Sequence, residues 1–275
     1  TLCRKSKIKH RFHLAKVGHS GTLDPFATGL LIVACNNATK LLPYVGFEPK
    51  KYISTLKLGV KTSTGDTEGE IISTKEVPAI SEEFIKQIFD SFIGEIEQIP
   101  PMTSAVHVNG VKLYELAHKG IEIERKPRKI NVFSLNLIKF DGDLLTFECA
   151  VSSGTYVRVL GEDLAVKLGT VGHLISLRRI QIDKCQIEEA KTIEEIEISD
   201  LFTMDNFLHI NSVLLNEKQL ERAIHGNPII IDNIDDDFVL LLGVINDNKE
   251  VIAIYRKKND KMFVSERGIY TNGNI

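Results

Sequence analysis

Apolar and polar residues alternate along KYISTLKLG, residues 51–59, and this period of two predicts a strand with one buried face. INVFSLNLIKF (130–140) and LLTFECAVS (144–152) flank DGD and predict a β-hairpin. The period changes in SEEFIKQIFDSFIGE (81–95). There Phe84, Ile85, Ile88, Phe89 and Phe92 fall on one helical stripe behind an N-cap serine. KLYELAHKG (112–120) predicts a second helix, stopped by Gly120, and TYVRVLGEDLAVKLG (155–169) begins a third that ends at Gly169. GLLIVACNNATKLLPYV (29–45) predicts a strand and then a helix that Pro43 helps to end. TSTGDTEGE (62–70) is polar and glycine-bearing, hence a loop. EEAKTIEEIEISDLF (188–202) predicts an acidic, peripheral helix. After about residue 210 the texture shortens. A helix at LNEKQLERAIHG (215–226) leads into PIIID, FVLLLGVIN, VIAIYRK and MFVSER, which read as a small β-domain. The expected organisation is one domain over 1–210 and a smaller one over 211–275, with no internal repeat.

Composition narrows this only a little. The chain has 275 residues, 43% hydrophobic and 26% charged, which is ordinary for a soluble globular protein. Its longest apolar stretches, such as 29–35, are too short to cross a bilayer, and no signal peptide is visible. Cys3, Cys35, Cys149 and Cys185 are widely spaced and form no CxxC or Cys/His pattern, so free thiols in a reducing cytoplasm are expected. Net charge changes the picture more. The total is −3, but residues 1–180 carry 24 Lys and Arg against 19 Asp and Glu, a net +5, while residues 181–275 carry 10 against 18, a net −8. That asymmetry is the footprint of a chain that meets a polyanion with its first part. The opening RKSKIKHRFHLAK (4–16) is strongly basic and reads as a helix end or an extended arm, either solvated or in contact with RNA.

One loop is specified far beyond the needs of a surface turn. In GHSGTLDPFATGLL (18–31), Gly18 and Gly21 permit positive φ or close backbone approach. Pro25 fixes the geometry after Asp24 and pushes Asp24 toward an extended conformation. The apolar GLLIVA that follows anchors the loop in a core, so a single acid is held rigidly at a strand edge, as a reactive side chain usually is. TLDP taken alone reads equally as a structural Asp-Pro turn.

The full string resembles the catalytic motif of the TruB family of tRNA pseudouridine synthases and the related dyskerin-type enzymes. The likeness continues in order through ATKLLPYV, KKYISTLKLGVKTSTGDTEGEI (50–71), IPPMTSAVHVNGVKLYELAHKGIEIER (99–125), SSGTYVRVLGEDLAVKLG (152–169) and HLISLRR (173–179). It spans about residues 11–180, and the C-terminal part is similar to the short PUA-type appendage of bacterial members. The resemblance implies an α/β (α+β) fold: a central mixed, mostly antiparallel sheet flanked by helices, plus the small C-terminal β-domain. Family members normally begin with a strand carrying DKPxGxTS. This chain starts at Thr1 inside or just after that region, which implies an N-terminal truncation.

The implied activity is isomerisation of a T-loop uridine of tRNA, position 55 in tRNA numbering, to pseudouridine by base flipping. The resemblance implies no cofactor and no metal, and the sequence carries no Walker loop, dinucleotide fingerprint or metal-ligand spacing. Asp24 matches the catalytic aspartate. A carboxylate can attack a sugar carbon, act as a base on the sugar, or stabilise positive charge there. Arg158, in GTYVR, is expected to pair with Asp24 and orient it. Tyr52 matches the active-site tyrosine, with a ring to stack on the base and a hydroxyl for proton transfer. His19, Tyr156 and Leu177 complete the expected substrate-binding set, with His19 against RNA and Leu177 in the pocket. Arg178 and Arg179 read as phosphate contacts or solvated residues. The expected partner is the tRNA T-arm and T-loop, with no membrane and no obligatory protein partner. A dyskerin-type, guide-dependent subunit and a non-catalytic RNA-binding or RNA-folding protein are the alternatives.

Overall fold

The alternating run at 50–58 becomes the centre of a seven-stranded sheet in the computed structural model, which describes residues 2–104, 107–108, 110–117, 120–202 and 208–270. The strands are β1 (Thr28–Gly29), β2 (Lys50–Leu58), β3 (Gly94–Gln98), β4 (Arg128–Asp141), β5 (Leu144–Val151), β6 (Gly172–Ile182) and β7 (Cys185–Gln186). Their spatial order is β7-β6-β2-β5-β4-β3, with β1 added against β6. Every pair is antiparallel except β1 with β6, so the sheet is mixed and mostly antiparallel, as predicted.

Along β2, Tyr52, Ser54, Leu56 and Leu58 are buried and the residues between them are partly exposed. The strand lies between β5 and β6, so both of its backbone edges are paired. Two helices cover the buried face: α1 (Glu82–Asp90) and α2 (Val157–Lys167). Ile85 and Phe89 of α1 and Leu160 and Leu164 of α2 share one core with Leu56 and Phe147. Phe89 meets Phe147 edge-on at 6.0 Å between ring centroids, a geometry that suits the ring quadrupoles. Ser81 caps α1 as expected, its Oγ accepting from the Phe84 N–H at 3.2 Å.

This sheet belongs to a compact unit made of residues 23–30 and 47–190; residues 1–22, 31–46 and 191–275 form a second. The chain therefore enters the sheet unit for eight residues, leaves it, and returns at Phe47. The second unit contains the helix Leu2–Arg11, an antiparallel pair of strands (Val17–His19 with Val33–Cys35), and a five-stranded sheet from residues 212–268. In that sheet Ser212–Leu214 runs parallel to Phe238–Ile245 and the other pairs are antiparallel. The helix Glu217–Ile224 packs its Ala223 into one face beside Tyr255 and Phe263, while Leu41 joins Leu240, Leu242 and Ile254 in a separate core. Four of the five strands fall on the short apolar runs, as predicted, while the compact unit that holds them also takes in residues 1–22 and 31–46. Among the described residues, no helix is long and apolar enough to cross a membrane.

Three local predictions need correction, and one strand was not predicted. The helix over 81–95 stops at Asp90, because Phe92 reaches the core through a turn and Gly94–Gln98 pairs with β4 instead. The helix expected before Pro43 is a pair of 3₁₀ turns, Asn36–Lys40 and Leu42–Tyr44, with Pro43 inside the second. Asn36 itself has φ +49° and its side-chain oxygen accepts from the N–H groups of Ala15 and Lys16, which stops an α-helix from starting there. The acidic helix over 188–202 is replaced by the 3₁₀ turns Ile187–Glu189 and Ile198–Asp200. Its acids bond backward to local N–H groups, Glu189 to Gln186 and Asp200 to Glu197, and so cap short turns. Finally, the HLISLRR stretch is a strand, β6, for which no element was predicted. The helix at 112–120 is present as Leu113–Ala117; residues 118 and 119 lie outside the described set.

Leu56 is fully buried between the two helices and the sheet. Leu56→Ala should cost about 2–5 kcal/mol in urea unfolding, the range for a buried leucine whose site collapses only partly. A loss below about 1 kcal/mol would mean that this strand does not organise the core.

Candidate active site

Asp24 sits at the first position of a tight turn: the Ala27 N–H donates to the Asp24 carbonyl at 3.0 Å, with Pro25 at the second position, where its fixed φ suits the turn. Leu23 and Ala27, on either side, are buried in the sheet core together with Tyr52 and Leu177. The loop is thus pinned by two apolar residues while Asp24 keeps a side chain 30% exposed. Of the preceding glycines, Gly21 takes the positive φ predicted, +143°, while Gly18 faces side chains, where a β-carbon would be 2.5 Å from the movable Leu42 Cδ1.

The loop closes against β6. The Leu30 N–H donates to the Arg179 carbonyl, and Arg179 Nε donates to the Leu30 carbonyl, both at 2.8 Å. Gly29 is the residue that permits this approach. It has φ +106°, and a β-carbon on it would stand 2.2 Å from the Arg179 carbonyl oxygen.

Arg158, in the first turn of α2, is the hub of the site. Its side chain is 3% exposed and its guanidinium forks onto Asp24, Nε to Oδ2 at 2.9 Å and Nη2 to Oδ1 at 3.1 Å. Nη1 donates to the Thr64 carbonyl at 2.7 Å and to Thr103 Oγ1 at 2.8 Å. The same nitrogen lies 3.4 Å from Asp66 Oδ2, whose side chain is 4% exposed. Asp66 is held in turn by Thr64 Oγ1 and by the Glu68 N–H at 3.0 Å. One buried cation therefore faces two carboxylates. Asp66 is enclosed and satisfied; Asp24 presents its edge outward.

Tyr52 lies on β2 in register with Cys149 on β5 and Arg179 on β6. Burial pushes its phenol above the ordinary tyrosine value, and the Arg179 charge opposes that shift only in part. The hydroxyl is consequently protonated at neutral pH and available as a donor. The neighbouring Cys149 thiol is pushed up to about 12 by burial and is inert as a nucleophile. Leu177 is buried on β6 opposite Ser54. Tyr156 is the N-cap residue of α2, and the Gln98 side chain clamps its backbone, accepting from the N–H at 2.8 Å and donating to the carbonyl at 3.2 Å. His19 belongs to the other unit, on the strand Val17–His19, where its Nδ1 accepts from the Gly21 N–H at 3.2 Å.

The sheet unit thus brings together Asp24, Arg158, Tyr52 and Leu177, with Tyr156 two residues before Arg158 in sequence. The sequence reading missed Asp66, Thr64, Thr103 and Gln98. Asp66 and Thr64 stand in a run that reads as a plain polar loop, and nothing in the spacing of 98 and 103 signals side chains that meet residues 156 and 158. Arg179 is a correction: it is 1% exposed, neither a solvated residue nor a phosphate contact.

A family model for the TruB family pseudouridylate synthase (N terminal domain) matches residues 9–157. The chain is 37% identical over 268 residues to a protein of Hydrogenovibrio crunogenus named tRNA pseudouridine synthase B, covering 96% of this chain and 88% of that protein. It is 42% identical over 231 residues to the protein of that name from Dechloromonas aromatica, covering 81% and 77%. Among solved structures it is similar to a Cbf5-Nop10-Gar1 complex (TM-score 0.69, 22% identity, 95% of this chain and 78% of that one). It is also similar to an H/ACA RNP bound to a substrate RNA containing 2'-deoxyuridine (TM-score 0.70, 20% identity, 98% and 80%). At those identities the structures speak for the fold, which is the pseudouridine synthase fold.

Removing the hub should be expensive. Arg158→Met leaves Asp66 buried without its cation and should destabilise the protein by about 3–5 kcal/mol, as loss of one partner of a buried pair does. Arg158→Lys keeps the charge but not the fork and should cost less. Comparing the two by urea unfolding checks this; equal stability of wild type and Arg158→Met would contradict it.

Proposed function

We infer the activity of this chain from its membership of a family: it belongs to the TruB family of pseudouridylate synthases. The chain is a tRNA pseudouridine synthase, which isomerises uridine to pseudouridine. In that reaction the bond from N1 to C1′ breaks, the base turns in place, and C5 bonds to C1′. The C5 proton is lost and N1 gains one, so nothing enters or leaves overall. The substrate uridine is in the T-loop, position 55 in tRNA numbering, and it is flipped out of the folded loop to reach the site.

The observation that carries the assignment of the site is the fork of Arg158 onto Asp24. It holds a carboxylate in one orientation on a rigid turn, with lone pairs left over for the ribose. Such a group can attack C1′, remove a proton from the sugar, or balance positive charge there. Tyr52 offers a ring to stack on the flipped base and a neutral hydroxyl for proton transfer. Leu177 supplies an apolar wall, Tyr156 a second ring, and His19 an aromatic contact to the RNA. The basic first 180 residues track phosphate, and the acidic segment 211–275, a PUA-like unit, assists binding without taking part in chemistry.

Asp24→Asn keeps the size of the side chain and removes its charge. Single-turnover pseudouridine formation on an unmodified tRNA transcript should fall roughly 10⁴-fold or more, with tRNA affinity held within about tenfold. A folded variant with near-normal turnover would overturn the assignment. Wild-type protein should turn over without added guide RNA or protein; a requirement for either would move it to the guide-dependent class. Its affinity for tRNA should fall with salt, with a log–log slope of several units.

A further inference from the structure

Arg179 is the second fully buried arginine of the sheet unit, and nothing in the chemistry above uses it. Among the described residues, no carboxylate lies within ion-pairing distance of it, and its Nη2 is buried with no hydrogen-bond partner. A buried guanidinium in that state is costly, and a position that needed only packing would be better served by an apolar side chain. Lys50, on β2, adds to the cost: burial and the charge of Arg179 push its ammonium below the ordinary lysine value, against the opposing pull of Glu48. Fastening β1 to β6 does not explain the residue either. The Leu30 N–H already donates to the Arg179 carbonyl, and Thr28 and Gly29 already pair with Arg178 and Arg179.

One contact and one juxtaposition remain. Nε donates to the Leu30 carbonyl, at the closing end of the Asp24 loop. Tyr52 is the residue directly opposite Arg179 across β2 and β6, so the two buried side chains leave the same face of the sheet side by side. We propose that Arg179 is a positioning residue for the isomerisation, one rigid guanidinium that ties the Tyr52 hydroxyl to the end of the loop carrying Asp24. The proposal rests on the reading of Asp24 and Tyr52 given above. Arg158 sets the direction of the carboxylate, and Arg179 sets the distance from that loop to the tyrosine. The planar fork suits this role; a lysine at 179 would carry the charge but could not serve two fixed acceptors.

The test is a double-mutant cycle read in single-turnover rate with enzyme in excess, using Arg179→Met, Tyr52→Phe and the pair. Arg179→Met should slow the wild type about 10- to 100-fold, the scale of a small misplacement of reacting groups, and leave tRNA affinity within about threefold. In the Tyr52→Phe background the same change should cost about threefold or less, because the hydroxyl it positions is gone. Equal losses in the two backgrounds would overturn the proposal, as would full rescue by Arg179→Lys. A second measurement needs no Arg179 variant and no substrate. In arginine-selective 15N spectra, the guanidinium signals of Arg179 should shift between wild type and Tyr52→Phe, and unchanged signals would also overturn it. Absence of pseudouridine from the wild type, or its persistence in Asp24→Asn, would count against the reading of the site instead, since the spectra report the Tyr52–Arg179 contact whether or not the protein is active.

Discussion

Everything in the site turns on one buried cation shared between two carboxylates. Arg158 spends one nitrogen toward Asp66, the Thr64 carbonyl and Thr103, and two on Asp24. Because Asp66 is enclosed, its charge belongs to the fold: it makes a buried guanidinium tolerable. Asp24 then receives a partner that is already rigid. Two carboxylates share one guanidinium, and the more exposed of the two is Asp24. A single Asp–Arg pair would be neutral and more easily dissolved by water; the second acid lets the arginine stay fixed while the first is offered to substrate.

The elements that hold this hub come from distant parts of the chain. Residues 24, 66, 103 and 158 lie on a turn, a loop, another loop and a helix, and the sheet brings them to one place. What the sheet supplies is stiffness. β2 and β6 carry Tyr52, Leu177 and Arg179 on regular backbone, and α2 carries Arg158 in its first turn, so few of the groups depend on a mobile support.

Much of this was legible in the residues. The period-two run at 51–59, the DGD hairpin and the Ser81-capped helix announce themselves, because local pattern and tertiary burial agree there. The loop around Asp24 was legible because three glycines and a proline leave few backbone alternatives, and the ordered motifs around it named the family, with Arg158 and Tyr52 as partners. The failures have a common cause. The stretches 36–44 and 188–202 contain enough helix-compatible residues to pass as helices, but Asn36, Glu189 and Asp200 use their side chains on nearby backbone N–H groups and end regular structure early. Asp66, Thr103 and Gln98 were invisible because their role is defined by residues 55 to 92 positions away in sequence. Arg179 was misread because arginine is nearly always a surface residue, and only the register of β6 against β2 shows that this one points inward.

The location of Tyr52 on a strand paired along both edges has a consequence for how such a site can change. Sliding β2 by one residue would turn the tyrosine to the opposite face, and sliding it by two would carry the ring about 7 Å along the strand. Its placement is therefore quantised: backbone adjustment offers no small steps. Fine variation in the distance between ring and carboxylate has to come from the side chains that touch them, so lineages of this enzyme can drift gradually at the positions around β2 but cannot drift gradually in its register.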